Sequence, residues 1–389
     1  MREILFPICL LLITGCTSTR STVPESCGPT SAYVGPTLRD AITPDKLPST
    51  RINTQRSVSP ELASRLDDLF AQLVDNETEA SRASIAVWSP HSGFWSSSFA
   101  AVPDVRPNQR NDIYWWASVG KLITGTIVLQ LVDEGKVSLD DPLSNWFPDY
   151  PYADLITIDH LLTHTGGVFS FNNDLKLQKS DGYKPVDLLI DVSASHGADF
   201  CPGSDWNYSN TGYVMLGKIA ETVEDKPFSQ IVQARLARPQ ALQSLLVVTP
   251  TDDASTMVSP IGDNPPDTAS IASIYGAGAI KGTATDMLHV LAAYLRADSV
   301  SLQMRDLAFS DLYPMFGSSM HYGRGVMVTD VPDLLKPTVW IGHSGGSPNA
   351  KALVIYDAER EIFMALVLNI QAPAEAIANA ILKEFDDAH

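Results

Sequence analysis

Cysteine is scarce. The 389 residues contain four, at positions 9, 16, 27 and 201, and neither a Cys-x-x-Cys pair nor a His-Glu-x-x-His helix occurs. Without ligands at metal-binding spacing, no metal is indicated. His160 and His164 stand four apart but have no third partner, so a structural role fits them better. Basic residues are also few: 27 Lys and Arg against 45 Asp and Glu give a net charge of −18. No basic cluster interrupts that acidity, which excludes nucleic acid and anionic lipid surfaces as partners of the protein surface. Long apolar runs are missing too. The longest, Ile4 to Ile13, is about half of what a bilayer-spanning helix needs. Gly276-Ala-Gly-Ala-Ile-Lys-Gly282 misses the dinucleotide fingerprint by one residue, so no nucleotide cofactor is expected.

What is present begins with an export signal over residues 1–16, weakly charged because Glu3 opposes Arg2. Its end, Ile13-Thr-Gly-Cys16, resembles the lipobox of bacterial lipoproteins. That resemblance implies cleavage before Cys16, acylation of its thiol, and a lipid-anchored protein of the cell envelope whose globular part is periplasmic. Residues 17–57 are rich in Ser, Thr and Pro with few large apolar residues, and read as a flexible tether. After processing, only Cys27 and Cys201 remain to pair. An oxidising compartment would permit the bond, but spacing does not establish it, and a place in the tether argues against it for Cys27. No feature sets an oligomeric state.

Residues 58–389 are long enough for one large core, and the chain is 44% hydrophobic. Leu62, Leu66, Leu69 and Leu73 at helical spacing predict an amphipathic helix from Pro60 to about Asp75. Residues 83–89 and 93–101 read as a hairpin, and 322–330, 338–342, 350–357 and 362–369 as strands. A closing helix is expected from about Pro373 to Phe385. Strands at both ends around a helical middle, roughly 136–280, predict one interrupted α+β domain.

Three short motifs carry the chemistry. Ser118-Val-Gly-Lys121 is the chain's one Ser-x-x-Lys. On a helix, i and i+3 share a face, so the amine can reach the hydroxyl. A serine needs such a base, and a lysine serves only if its pKa is pushed down. Tyr208-Ser-Asn210 follows in the turn-rich Phe200-to-Gly212 loop. A phenol can trade a proton with the serine, and an amide can hold a substrate carbonyl. His343-Ser344-Gly345-Gly346 ends a β-branched run, where glycines let a ligand approach the backbone. Gly342-His-Ser-Gly-Gly346 also fits the nucleophile elbow of α/β-hydrolases, but Pro348 and a second strand follow where that elbow needs a helix.

In this order the motifs resemble the penicillin-recognising serine hydrolases, closest to the branch of class C β-lactamases, D-alanyl-D-alanine carboxypeptidases and related esterases. Val137-Ser-Leu-Asp-Asp-Pro142, Ile158-Asp-His-Leu-Leu-Thr-His-Thr-Gly-Gly167 and Pro202-Gly203 are similar as well, and the likeness covers roughly Pro60 to Ile370. The resemblance implies an antiparallel sheet flanked by the terminal helices, a helical insertion, and a site in the seam between them. It also implies Ser118 as nucleophile, with Lys121 and Tyr208 as proton-transfer partners. Asn210 and the 343–346 strand would bind substrate, and the backbone N–H groups of Ser118 and Gly346 would hold the oxyanion. Trp115, Trp116 and Trp206 are candidates for an apolar acyl pocket, with at least one of the first two in the core. Many β-lactamases carry a lysine where His343 stands. If His343 binds a carboxylate as a cation, activity on acidic substrates should fall between about pH 6 and 8. The expected function is hydrolysis of an envelope ester, amide or D-amino peptide through an acyl-enzyme. A true β-lactamase and a silent binding protein of the same fold are the alternatives.

Overall fold

The computed structural model describes residues 27–28, 31–75, 82–100, 111–259, 266–317, 319–332, 337–348, 350–370 and 372–386. Helix α1 (Pro60–Asp75) buries Leu62, Leu66, Phe70 and Val74, one apolar stripe at i, i+4 spacing. Strands β1 (Arg82–Ser89) and β2 (Gly93–Ala100) form the expected hairpin. Short β3 (Tyr114–Trp115) leads through a 3₁₀ turn, Ala117–Val119, into α2 (Gly120–Asp133). A helical stretch follows: α3 (Ile158–Thr163), α4 (Leu175–Gln178), α5 (Val186–Ser195), α6 (Asn210–Glu224) and α7 (Phe228–Val232). Then come β4 (Leu246–Val247), α8 (Thr268–Ser273), β5 (Ile280–Gly282), α9 (Ala284–Leu295) and α10 (Leu302–Leu307). The chain returns through β6 (Tyr313–Pro314), β7 (Met320–Tyr322), β8 (Met327–Val331), β9 (Thr338–Ser347), β10 (Ala350–Asp357) and β11 (Ile362–Leu368), and closes with α11 (Ala374–Asp386).

Among the described residues the large sheet runs β2-β1-β11-β10-β9-β8-β7-β6, and its paired strands are antiparallel. The N-terminal hairpin and the C-terminal strands therefore share one sheet, with Ile85 opposite Leu366. α1 and α11 cover one face, where Leu66, Phe70, Ile377, Ile381 and Phe385 join one core. α9 packs on β1, β10 and β11 from the other side, in a second and larger core that continues into the helical part. The expected α+β architecture holds. The expected single strand over 322–330 is split: β7 and β8 are parted by a turn in which Gly325 takes φ +81° and lies against Gly125 of α2. The turn backbone is thus packed directly on the helix, where only glycines fit. The small sheet β3-β5-β4 consists of two- and three-residue pieces, too short to leave a periodicity in the sequence.

The tether is corrected over most of its length. Cys27 is disulfide-bonded to Cys201. The Val34 N–H donates to the Ser204 carbonyl at 2.8 Å and the Arg39 N–H to that of Leu312 at 3.0 Å. The Arg39 guanidinium pairs with Asp330, and Ile42 and Leu47 are buried. A Ser/Thr/Pro-rich composition shows that a segment cannot build its own core. It does not show that the segment cannot lie along one already built. The remainder of the tether, the signal and Cys16 lie outside the described residues. No described helix is long and apolar enough to cross a membrane.

Candidate active site

Ser118 sits in the 3₁₀ turn at the mouth of α2, behind Ala117 in the left-handed region at φ +46°. Two glycines from distant elements make room for this turn. A Cβ on Gly278 would stand 2.6 Å from the Ala117 carbonyl oxygen, and one on Gly345 of β9 would stand 2.5 Å from the Ser118 nitrogen. The glycine-rich segment that misses the nucleotide fingerprint thus has a packing role beside the serine turn.

Lys121 is fully buried one helical turn on. Its Nζ lies 3.2 Å from Ser118 Oγ, 2.6 Å from Asn210 Oδ1 and 2.7 Å from the Ala277 carbonyl oxygen. Burial drives its pKa well below the ordinary lysine value. A neutral amine has two N–H donors and one lone pair. Once Lys121 is neutral, the two carbonyl oxygens, which can only accept, take both hydrogens and leave the lone pair for the Ser118 hydroxyl. Tyr208 flanks the same amine, with Nζ 4.8 Å from its ring centroid. Burial raises the Tyr208 pKa, and the Ser118 hydroxyl opposes that rise. The phenol is therefore a protonated group facing the serine, not a resting phenolate.

Ser209 caps α6 by accepting from the Gly212 N–H, which presents Asn210 as the first helical residue. Asn210 has less freedom than expected of a substrate-binding amide. Its Oδ1 is held by Lys121, its N–H donates to Ser170 Oγ at 2.8 Å, and its Nδ2 donates to Asn172 Oδ1 at 2.8 Å. One Nδ2 hydrogen remains for a substrate carbonyl. Asn172 and Ser170 went unread in the sequence, where Ser-Phe-Asn-Asn looks like an ordinary loop.

The cationic expectation for His343 is corrected. The side chain is 1% exposed, its Nδ1–H donates to the Ser344 carbonyl at 2.6 Å, and its Nε2 lies 3.2 Å from the Tyr322 hydroxyl. Burial lowers its pKa to about 3. At physiological pH it is a neutral bracket inside β9, and no change in its charge falls between pH 6 and 8. Ser344 donates weakly to Met327 Sδ at 3.7 Å and lies on a strand that runs straight into β10. The strand-turn-helix setting of a nucleophile elbow is absent. Gly345 is packed under Ser118, and Gly346 is exposed beside it.

His164 escaped a functional reading. It ends α3 in the left-handed conformation at φ +64°, fully enclosed, and its Nδ1 accepts the Ser209 N–H at 3.1 Å. Its ring lies 4.4 Å from that of Tyr208 and 4.5 Å from that of Tyr322, so it braces the tyrosine motif from behind. His160 completes a capping box with Thr157, and no metal-holding group of side chains exists among the described residues. Trp116 belongs to the core as expected, Trp115 donates to the Gly278 carbonyl at 2.7 Å, and Trp206 packs beside Tyr208.

Two buried neutral imidazoles make stability depend on pH in a definite direction. The unfolded chain protonates His343 below about pH 6.5, while the folded one resists to about pH 3. Stability is then lost as pH falls through that window, by up to about 1.4 kcal/mol per unit for each such histidine. His164, whose pKa burial also lowers, adds in the same direction. The urea midpoint should drop between pH 7 and pH 5, with a shallower drop in His343→Gln. Equal midpoints at the two pH values would contradict the neutral assignment.

An antiparallel sheet with a helical insertion, and a serine facing a buried lysine at its edge, define a serine hydrolase of the β-lactamase class. The chain belongs to the Beta-lactamase family, whose model matches residues 66–386. It is 25% identical over 310 residues to Penicillin-binding protein 4* of Bacillus subtilis, covering 74% of this chain and 67% of that one. It is 31% identical over 201 residues to Esterase EstB of Burkholderia gladioli, covering 47% of this chain and 50% of the esterase. The chain thus spans about half to two thirds of these curated relatives. Among solved structures, the D-amino acid amidase from Ochrobactrum anthropi SV3 complexed with L-phenylalanine amide superposes with a TM-score of 0.74 at 22% identity, covering 84% of this chain and 99% of the amidase.

Proposed function

We propose that this chain hydrolyses an ester or amide bond of a D-amino acyl compound in the cell envelope, through an acyl-enzyme on Ser118. The carrying observation is the arrangement around Lys121, whose lone pair faces the serine once both carbonyl oxygens are satisfied. Lys121 takes the Ser118 proton as Oγ bonds to the substrate carbonyl carbon. The oxyanion accepts from the Ser118 and Gly346 N–H groups, each donor being worth roughly 3 kcal/mol. Tyr208 protonates the leaving oxygen or nitrogen, and the proton held by Lys121 returns to the phenolate, which restores both groups. Water then attacks the ester carbon, and Ser118 leaves with its proton back. Asn210 steers the acyl side with its free amide hydrogen.

The buried neutral His343 supports an ester or amide substrate over one recognised at a free carboxylate by a fixed cation, such as the lysine that many β-lactamases carry at this point. Likeness to an amidase of D-amino acids supports the stereochemistry. The Cys27–Cys201 disulfide supports export, because such bonds persist in oxidising compartments. Ile13-Thr-Gly-Cys16 supports a lipid anchor on Cys16. A Cys16→Ala variant that still fractionates with membranes would remove the anchor.

Intact-mass measurement after treatment with a fluorophosphonate and, separately, a fluorescent penicillin tests the chemistry. One fluorophosphonate adduct, lost in Ser118→Ala, is expected. Rapid turnover of the penicillin would favour the β-lactamase reading. An adduct that survives in Ser118→Ala would end the case for this nucleophile, and no adduct from either probe would indicate a binding protein.

A further inference from the structure

Phe316 is at odds with its surroundings. It is 69% exposed, the side chain of a turn between β6 and β7, and its backbone is in the left-handed region at φ +51°. Glycine or asparagine would occupy that conformation at less cost, and an exposed aromatic gains nothing from burial. The turn is nonetheless firmly based: neighbouring Met315 is 1% exposed, and its N–H donates to the Met320 carbonyl at 2.8 Å. Held this way, the Phe316 ring stands 5.9 Å from that of Trp206, edge-on at 83°, and 6.1 Å from that of Tyr208. Trp206 is itself 6.4 Å from Tyr208. Two aromatic rings therefore flank the phenol, one of them largely open to solvent.

We propose that Phe316 and Trp206 form an aromatic clamp for the leaving group, selecting substrates whose departing alcohol or amine carries a planar aromatic or broad apolar group. This rests on the hydrolase reading above. The atom that Tyr208 protonates must lie against Tyr208, so whatever is attached to it packs along the open side of these two rings, which meet each other edge to face. The acyl part is bound instead to Ser118, on the side of Asn210 and β9. The clamp's walls come from two separate segments, and the N-terminal arm fixes both. Cys27 and Val34 hold the Trp206 loop through Cys201 and Ser204, while Arg39 and Tyr33 hold the base of the Phe316 turn through Leu312 and Tyr313. Specificity for the departing group is thus built on a braced scaffold.

The test uses two reagents that leave the same phosphonyl group on Ser118, an alkyl fluorophosphonate and the corresponding phenyl phosphonate ester. Only the phenyl reagent places an aromatic ring where the leaving group sits. In Phe316→Ala the second-order rate of labelling by the phenyl ester should fall about 5- to 10-fold, the range of a lost aromatic contact. The fluoride reagent should label within two-fold of wild type, which also shows that the variant is folded. Phe316→Tyr should restore the phenyl rate. Equal losses with both reagents, or no loss with either, would overturn the clamp while leaving the hydrolase intact. If neither reagent labels wild-type Ser118, the hydrolase reading fails and the clamp fails with it.

Discussion

Replacing Lys121 with methionine is expected to slow acylation of Ser118 by about 10²- to 10⁴-fold, the range of a lost general base. The lysine is the one group whose unshared pair faces the hydroxyl, and Tyr208 cannot substitute for it while burial keeps the phenol protonated. Stability should change little. Methionine fills a similar volume without the desolvation cost of a buried amine, which offsets the hydrogen bonds lost at Asn210 and Ala277. Lys121→Arg should be just as slow, because a guanidinium does not give up its proton. Stopped-flow labelling with a fluorophosphonate reads the step directly, and acylation within ten-fold of wild type would refute the assignment. The wild-type rate should also rise with pH as Lys121 loses its proton and then level off. Its lowered pKa puts that rise well below the ordinary lysine range.

Adding a single methyl group at Gly345 should be nearly as damaging. An alanine Cβ there would lie 2.5 Å from the Ser118 nitrogen and 2.8 Å from the Trp116 carbonyl oxygen. Both are backbone atoms at the base of the nucleophile turn, so neither can swing aside as a side chain would. Either β9 or the turn must shift, and the Ser118 and Gly346 N–H groups then no longer converge on one oxygen. Losing one such donor costs about 10²- to 10³-fold. A comparable loss in kcat/KM for Gly345→Ala is expected, with native-like circular dichroism. Unimpaired turnover would mean that strand and turn are not coupled as the structure shows.

Much of this was legible from residue types and spacing. The stripe of α1, the hairpin, the C-terminal strands and the closing helix were readable because each repeats over two or more periods. Ser118 and Lys121 were readable because their spacing has one meaning on a helix. What stayed hidden depended on burial. A histidine at position 343 suggests partial charge until its enclosure is known. Asn172, Tyr322 and His164 are separated in the chain and meet only in the folded interior. The Cys27–Cys201 bond was hidden for a related reason. Composition describes what a segment can do alone, and this one gains its order from the surface of the finished domain. The split between β7 and β8 goes with a turn packed on α2, a contact that no local pattern records.

That bond has a spatial consequence. With a lipid on Cys16, the chain between the anchor and its first fixed point on the domain is not forty residues but the ten from Thr17 to Ser26. Even fully extended, ten residues span at most about 35 Å. A domain of this size is roughly 50 Å across. Under that proposal the leash would be shorter than the body it holds, and it would be fastened beside the loop that carries Tyr208. Such an enzyme could not roam the envelope or turn its mouth freely away from the bilayer. It would work within a thin layer just above the lipid surface, on compounds that are themselves held there or that accumulate at that boundary.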